Sequence, residues 1–325
     1  MRIRPGVGGL GVLRRVAGFA AAAAMSPYLV VKVIWIAREV SQGTAGWVLL
    51  NAVTVLMATA GIGLGLALAR PWGMRLPGWL VLPVVWIAGG FLVSMLPYVI
   101  AGSLLVPSVP EPVDEPAMPA WETALIGVAF AGMTAALVVG LPLYLRERWP
   151  WAFTGLVGRS AVNPRTLWIL LPVAGLAALW TCWAAGGTAG LDPAALPTWD
   201  VNARLLAGNS ALGAVCAGWS LWALSRWSSP RTVLWLPMTL GFITSGSLFS
   251  WAAWKSVWLL VPGIYRPAEH RAVALIEHAA ALGTGLALLV VLVRVYRRRR
   301  TLGARLCLSP ERTPVVAGGQ EGRAP

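Results

Sequence analysis

Apolar residues fall into eight long blocks, at roughly 16–37, 46–68, 78–106, 121–145, 166–189, 205–225, 232–261 and 273–296. About 20 apolar residues in a helix cover the hydrocarbon core of a bilayer. In lipid the backbone must satisfy its own hydrogen bonds, so each block is expected to be helical. The pattern predicts an all-α fold, a polytopic transmembrane helical bundle of about eight spans. The third and seventh blocks are long for one crossing, and Pro83, Pro97 and Pro237 are placed to kink them.

Charge between the blocks sets the expected orientation. Arg14 and Arg15, Arg70 and Arg75, Arg146, Arg148, Arg159 and Arg165, Arg226 and Arg231, and Arg294 to Arg305 all fall on one side of an eight-span chain. The other side collects Arg38 and Glu39, then Glu111, Asp114 and Glu115, then Asp192, Asp200 and Arg204, then Arg266, Glu269 and Arg271. Loops rich in Arg stay cytoplasmic, so both termini are expected inside a plasma membrane. The basic fringe would face anionic lipid headgroups.

Composition agrees: 58% of the 325 residues are hydrophobic and only 12% are charged, against about 25% charged in soluble domains. The net charge of +14 does not indicate nucleic acid, because it sits in short clusters between apolar runs. The 19 Trp suit the membrane interface. The three Cys, at 182, 216 and 307, have no zinc or redox spacing and read as small apolar residues. Basic residues, an Ala run and Met25-Ser26-Pro27 imitate a signal peptide. The apolar stretch continues to Ala37, however, so an uncleaved first span is expected.

The two halves repeat one another. Val16-Ala17-Gly18-Phe19-Ala20-Ala21 matches Val173-Ala174-Gly175-Leu176-Ala177-Ala178, and Ala67-Leu68-Ala69-Arg70 matches Ala223-Leu224-Ser225-Arg226. Leu82-Pro83 matches Leu236-Pro237, and Ala124-Leu125-Ile126 matches Ala274-Leu275-Ile276, in the same order at nearly constant offset. The expected layout is a basic N-terminus (1–15), a four-helix repeat (16–148), a basic linker (149–165), a second repeat (166–298) and a disordered basic tail (299–325). A 4+4 duplication of this kind inserts in parallel. The Pro-rich connection from Pro107 to Ala120 is expected to be an extended external loop.

Few residues could carry chemistry. The only two Lys, Lys32 and Lys255, lie inside apolar blocks with Trp35 and Trp258 three residues on. With Glu277 they lie about 9–10 Å below the external boundary, at 1.5 Å rise per residue. Asn51 and Asn209 occupy matching places in the second and sixth blocks. Lys32, Lys255, Glu277, His278, Asn51 and Asn209 thus form a candidate outer-leaflet polar site for a small or lipid-like anionic ligand. The alternative is snorkelling Lys and a purely structural Lys–Glu pair.

His270 and His278 follow Glu269 and Glu277 at a spacing of eight, about 12 Å apart on a continuous helix. One ion does not bridge that distance, so no metal site and no cofactor are expected. No catalytic residue is assigned: nucleotide-binding, zinc-protease and serine-hydrolase motifs are missing, and no ionisable residue lies near a bilayer midplane.

Trp183-Ala184-Ala185-Gly186-Gly187-Thr188-Ala189-Gly190-Leu191-Asp192 resembles a W-A-x-G-G-T-x-G-L-D segment that closes a span at the outer face of uncharacterised multi-pass membrane proteins of actinobacteria. The resemblance implies a four-helix module and an actinobacterial source, and it carries no activity. The first half departs from it, with Arg38-Glu39-Val40-Ser41-Gln42 ahead of Gly43-Thr44-Ala45-Gly46.

Three functional classes remain open: a ligand-binding or ligand-passing membrane protein, a structural or regulatory partner of another membrane protein, and a membrane enzyme on a lipid or prenyl substrate with Glu277 or Glu122 as acid. Topology is directly testable. Reporter fusions within the Arg146–Arg165 connection are expected to be cytoplasmic, with green fluorescent protein bright and alkaline phosphatase inactive. The reverse pattern contradicts the orientation.

Overall fold

A computed structural model of the chain describes residues 9–43, 45–105, 119–148, 164–226, 234–261 and 266–308. Its α-helices are α1 (Gly9–Gln42), α2 (Ala45–Ala69), α3 (Gly78–Leu92), α4 (Leu96–Leu105), α5 (Ala120–Ala135), α6 (Leu141–Arg148), α7 (Leu170–Ala184), α8 (Val201–Arg226), α9 (Trp235–Leu259) and α10 (Arg271–Leu308). The fold is all-helical, without a named strand among the described residues. Six helical rods, at 9–42, 45–69, 78–105, 120–148, 166–184 and 271–298, are long and apolar enough to cross a membrane. The chain is therefore a multi-pass membrane protein. Helices α8 and α9 match the sixth and seventh expected blocks in place, but fall below the others in hydropathy.

Proline explains where rods deviate. Pro97 has no N–H for the Val93 carbonyl; the Leu96 N–H takes it instead, giving a 3-10 turn at Val93–Met95 between α3 and α4. Pro142 likewise cannot serve Val138. The Leu141 N–H reaches back to Ala136, and Ala136–Gly140 becomes a π turn between α5 and α6. Pro237 lies in the first turn of α9, where an N–H has no intrahelical partner in any case.

Burial runs opposite to that of a soluble protein. Leu56, Ile276 and Leu104 are 69%, 71% and 78% exposed, whereas Ser220, Ser245, Ser250, Thr244 and Thr284 are buried. So continuous an apolar exterior is stable only against lipid. Each half encloses its own core. One is built on Met25, Tyr28, Leu64, Leu68, Met133 and Tyr144, the other on Leu176, Trp180, Leu221, Leu248, Leu288 and Val295.

The halves meet where α3 packs on α9. Gly90 and Gly246 cross there so closely that a Cβ on either would overlap the other helix's backbone. Small residues permit that approach, as is common between membrane helices. Around the crossing, Trp86 donates its indole N–H to Ser245 Oγ at 2.9 Å and stacks on Phe249, and Phe91 meets Trp251 edge-on.

At the end expected to be cytoplasmic, arginines do more than mark orientation. Arg14 lies within α1, is buried, donates to the Leu68 carbonyl in the last turn of α2, and pairs with Glu147 at 2.9 Å. A cation there satisfies orphan carbonyls and complements the helix dipole. Tyr144 and Arg148 both donate to the Gly73 carbonyl in the connection after α2, at 2.7 and 3.1 Å. Helix α10 continues past Arg298 to Leu308, into the segment expected to be disordered. Most of the Pro-rich connection (106–118), of the basic linker (149–163) and of the tail (309–325) lies outside the described residues.

The opposite ends of the two halves differ. Gly43 turns α1 directly into α2 at φ 72°. Residues 185–200 instead make a longer connection with Gly186 at φ 94° and Gly190 at φ 80°, the left-handed conformation glycine adopts freely. This connection pairs with the segment before α10. Leu191 and Glu269 form an antiparallel bridge, Asp192 N–H donates to Ala268 O at 2.8 Å, and His270 N–H donates to Gly190 O at 2.9 Å.

The Gly90–Gly246 crossing predicts a sharp contrast. Gly90→Val or Gly246→Val is expected to destabilise the protein by about 1–3 kcal/mol through overpacking, read as a lower unfolding midpoint in detergent. Gly89→Ala, whose added Cβ meets open space, leaves the midpoint unchanged or raises it. Equal loss in all three contradicts the close crossing.

Candidate functional site

Polar side chains collect in two clusters, one in each half. In the first, Lys32 on α1 donates to Asn51 Oδ1 on α2 at 3.1 Å. Its ammonium also lies 3.9 Å from the Trp35 ring centre and 5.6 Å from that of Tyr28. Glu122, in the first turn of α5, supplies the nearby negative charge. A Lys held by two aromatic faces and an amide has its charge compensated inside the protein.

The second cluster has a different character. Glu277 and His278, in the second turn of α10, are 4% and 2% exposed, and Glu269, from the segment ahead of that helix, is 5% exposed. One donor atom from each lies within 4.8 Å of the other two. His278 Nε2 stands 3.9 Å from Glu269 Oε1. Trp180 on α7 donates its indole N–H to Glu277 Oε1 at 2.8 Å. The half-buried Lys255 on α9 acts electrostatically on both Glu277 and His278. Glu269 Oε1, Glu277 Oε2 and both His278 ring nitrogens have no hydrogen-bond partner among the described residues.

The helical placement of Glu269 does not hold. Helix α10 begins at Arg271, so Glu269 and His270 precede it. In the bridge to Leu191, Glu269 turns inward while His270 points out and is exposed. The axial separation that set Glu269 apart from His278 applies only along a continuous helix. Two signals in the sequence bear on this: Pro267, which interrupts a helix shortly before Glu269, and the glycines of the 183–192 segment. That segment provides the strap itself. Trp183 also steadies it, donating to Ala189 O at 2.8 Å.

A cavity of about 260 Å³ opens beside the cluster, lined by Asp192, Leu259, Arg266, Pro267, Glu269 and Arg271. Its mouth carries the Arg266–Asp192 pair, 3.8 Å apart, and its wall includes Glu269. The sequence-derived site residues thus divide. Lys32 with Asn51 and Lys255 with Glu277 and His278 belong to separate groups. Asn209 belongs to neither: it lines a cleft of about 440 Å³ between α4 and α8, with Met95 Sδ at 3.9 Å from its amide nitrogen. Sequence reasoning missed Glu269 and Trp180 as members of the second group.

The architecture is that of a multi-pass helical membrane protein with a polar cavity at one end of its second half. Compared with known protein families, curated proteins and solved structures, the chain matches none of them.

Trp180 tests the geometry. Trp180→Phe keeps most of the ring and removes the bond to Glu277, and is expected to cost about 1–3 kcal/mol because a buried acceptor is left unpaired. Trp180→Phe in a Glu277→Leu background is expected to cost clearly less. Equal losses in both backgrounds contradict the bond.

Proposed function

We propose that this chain is an eight-span plasma-membrane protein, with both termini cytoplasmic, that binds a small polar ligand from the outer face in the cavity beside Glu269. The supporting observation is a set of three buried ionisable side chains, each with a polar atom left without a partner among the described residues, one of which, Glu269, lines the cavity. Burying such groups costs several kcal/mol per charge unless a partner compensates. A ligand is a natural partner.

Eight spans require α8 and α9 to cross the membrane. With 26 and 25 residues, they reach nearly 40 Å at about 1.5 Å per residue. Their polar residues Asn209, Ser220, Thr244, Ser245 and Ser250 are buried, while Leu212, Val215, Trp222 and Val257 face outward. The reduced hydropathy therefore comes from the interior face. The order α1, α2, α3–α4, α5–α6 runs parallel to α7, α8, α9, α10, and the Gly90–Gly246 crossing joins the third rod of each set. Both features support a 4+4 parallel duplication.

The mouth of the cavity is the place to test. In a chain with Cys182, Cys216 and Cys307 replaced by Ser, Glu269→Cys is expected to react with a membrane-impermeant maleimide in intact cells. A cysteine at Arg298 reacts only after permeabilisation. A Glu269→Cys thiol that reacts only after permeabilisation, or not at all in folded protein, removes the outward-facing pocket.

A further inference from the structure

We propose that Glu269, Glu277 and His278 bind one divalent first-row transition metal, with Zn²⁺ the best match to the donor set. The inference rests on the outward cavity proposed above and gives that cavity's ligand a chemical identity.

The donors are one imidazole nitrogen and two carboxylate oxygens. Imidazole selects zinc, iron, copper or nickel over calcium and magnesium, and the absence of sulfur in the set disfavours copper(I). One His and two carboxylates leave a fourth position open, as in zinc sites that exchange ligands. Of the three donors, Glu269 also lines the cavity of about 260 Å³, which gives an ion its way in.

Spacing distinguishes this set from an ordinary hydrogen-bonded cluster. His278 Nε2 and Glu269 Oε1 are 3.9 Å apart, beyond the roughly 3.2 Å limit of an N–H···O bond. A zinc ion takes its ligands at about 2.0–2.2 Å, so an ion midway between these two atoms would touch both. All three donor atoms lie within 4.8 Å of one another, and small rotations of the two Glu side chains would bring them to the tetrahedral ligand spacing of about 3.4 Å. Each donor residue is at least nine-tenths buried, and each has a polar atom without a partner among the described residues.

Charge points the same way. Lys255 offsets one of the two carboxylates, and Arg266 at the mouth is already engaged with Asp192. Two carboxylates converge on an imidazole at a buried position, where a compact cation gains most from low dielectric. Trp180 fixes the second oxygen of Glu277 from behind, the outer support that orients a metal-binding carboxylate.

The test uses the full chain, purified in detergent through a tag without histidine, stripped with a chelator and titrated with Zn²⁺. The expected result is about one zinc per chain by elemental analysis, with an X-ray absorption first shell of only nitrogen and oxygen near 2.0 Å. Loss of an outer partner of a metal ligand already costs 10–100-fold. Glu269→Gln, Glu277→Gln and His278→Gln are therefore each expected to weaken binding by about a hundredfold or more, while His270→Gln leaves it unchanged. A tenfold excess of Ca²⁺ or Mg²⁺ does not displace the zinc. The absorption spectrum of the unmutated chain decides the matter should a variant fail to fold. No zinc bound, sulfur in the first shell, or affinity surviving all three substitutions overturns the proposal. Absent zinc together with outward labelling of Glu269→Cys overturns the metal alone; absent labelling overturns the cavity.

Discussion

The short antiparallel pairing between residues 190–192 and 268–270 is the constraint on which the site depends. Two backbone hydrogen bonds hold Glu269 across the end of α10 and aim its carboxylate at Glu277 and His278, one turn further into the helix. Without that pairing the same residues would be spread along the chain, and Glu269 would meet solvent. Gly186 and Gly190 make the pairing possible by adopting φ values that side-chain-bearing residues avoid. Trp180 and Trp183, one turn apart on α7, both bond at this end of the half. One donates to Glu277 and the other to the strap backbone.

The rest of the molecule follows from placing polar groups where lipid does not reach them. Hydroxyls and small residues line the interior, large aliphatic residues face outward, and arginines at the other end close off helix carbonyls. Such an interior gives little hydrophobic drive for association, so close crossings such as Gly90–Gly246 and the aromatic contacts around it join the halves. In the first half the half-buried Lys32 meets Asn51, Trp35 and Tyr28. The second half sets one of its buried acids, Glu269, in the wall of a cavity and bonds the other, Glu277, to Trp180. The corresponding ends of the two halves thus differ, with a tight turn in one and a longer glycine-bearing strap in the other.

Much of the architecture was legible in the order of apolar blocks, because helix length in lipid is dictated by bilayer thickness. Six of the eight expected blocks, the first five and the last, correspond to rods apolar enough to span. Pro97 marked a real break; Pro237 did not, because it falls in a helix's first turn. Pro142, not singled out in the sequence, adds another through the π turn behind it. The burial of Arg14 was not legible, since a cytoplasmic arginine and a helix-capping arginine look alike in sequence. Glu277 and His278 stood out as polar residues within an apolar run. Glu269 did not join them on paper, because the spacing of the two Glu-His pairs reads as one continuous helix; Pro267 hints at a break, but the pairing with Leu191 that turns Glu269 inward is a long-range contact no local pattern shows.

The most direct test of the account is disulfide trapping across the strap. Leu191 and Glu269 face one another as a non-hydrogen-bonded antiparallel pair, for which Cα atoms lie about 4.5 Å apart, within disulfide reach. In a chain otherwise free of cysteine, Leu191→Cys with Glu269→Cys is predicted to crosslink rapidly in native membranes under mild oxidation. Leu191→Cys with His270→Cys should crosslink poorly. Two thiols at 191 and 269 that titrate freely yet do not crosslink would contradict the strap, and with it the convergence of Glu269, Glu277 and His278.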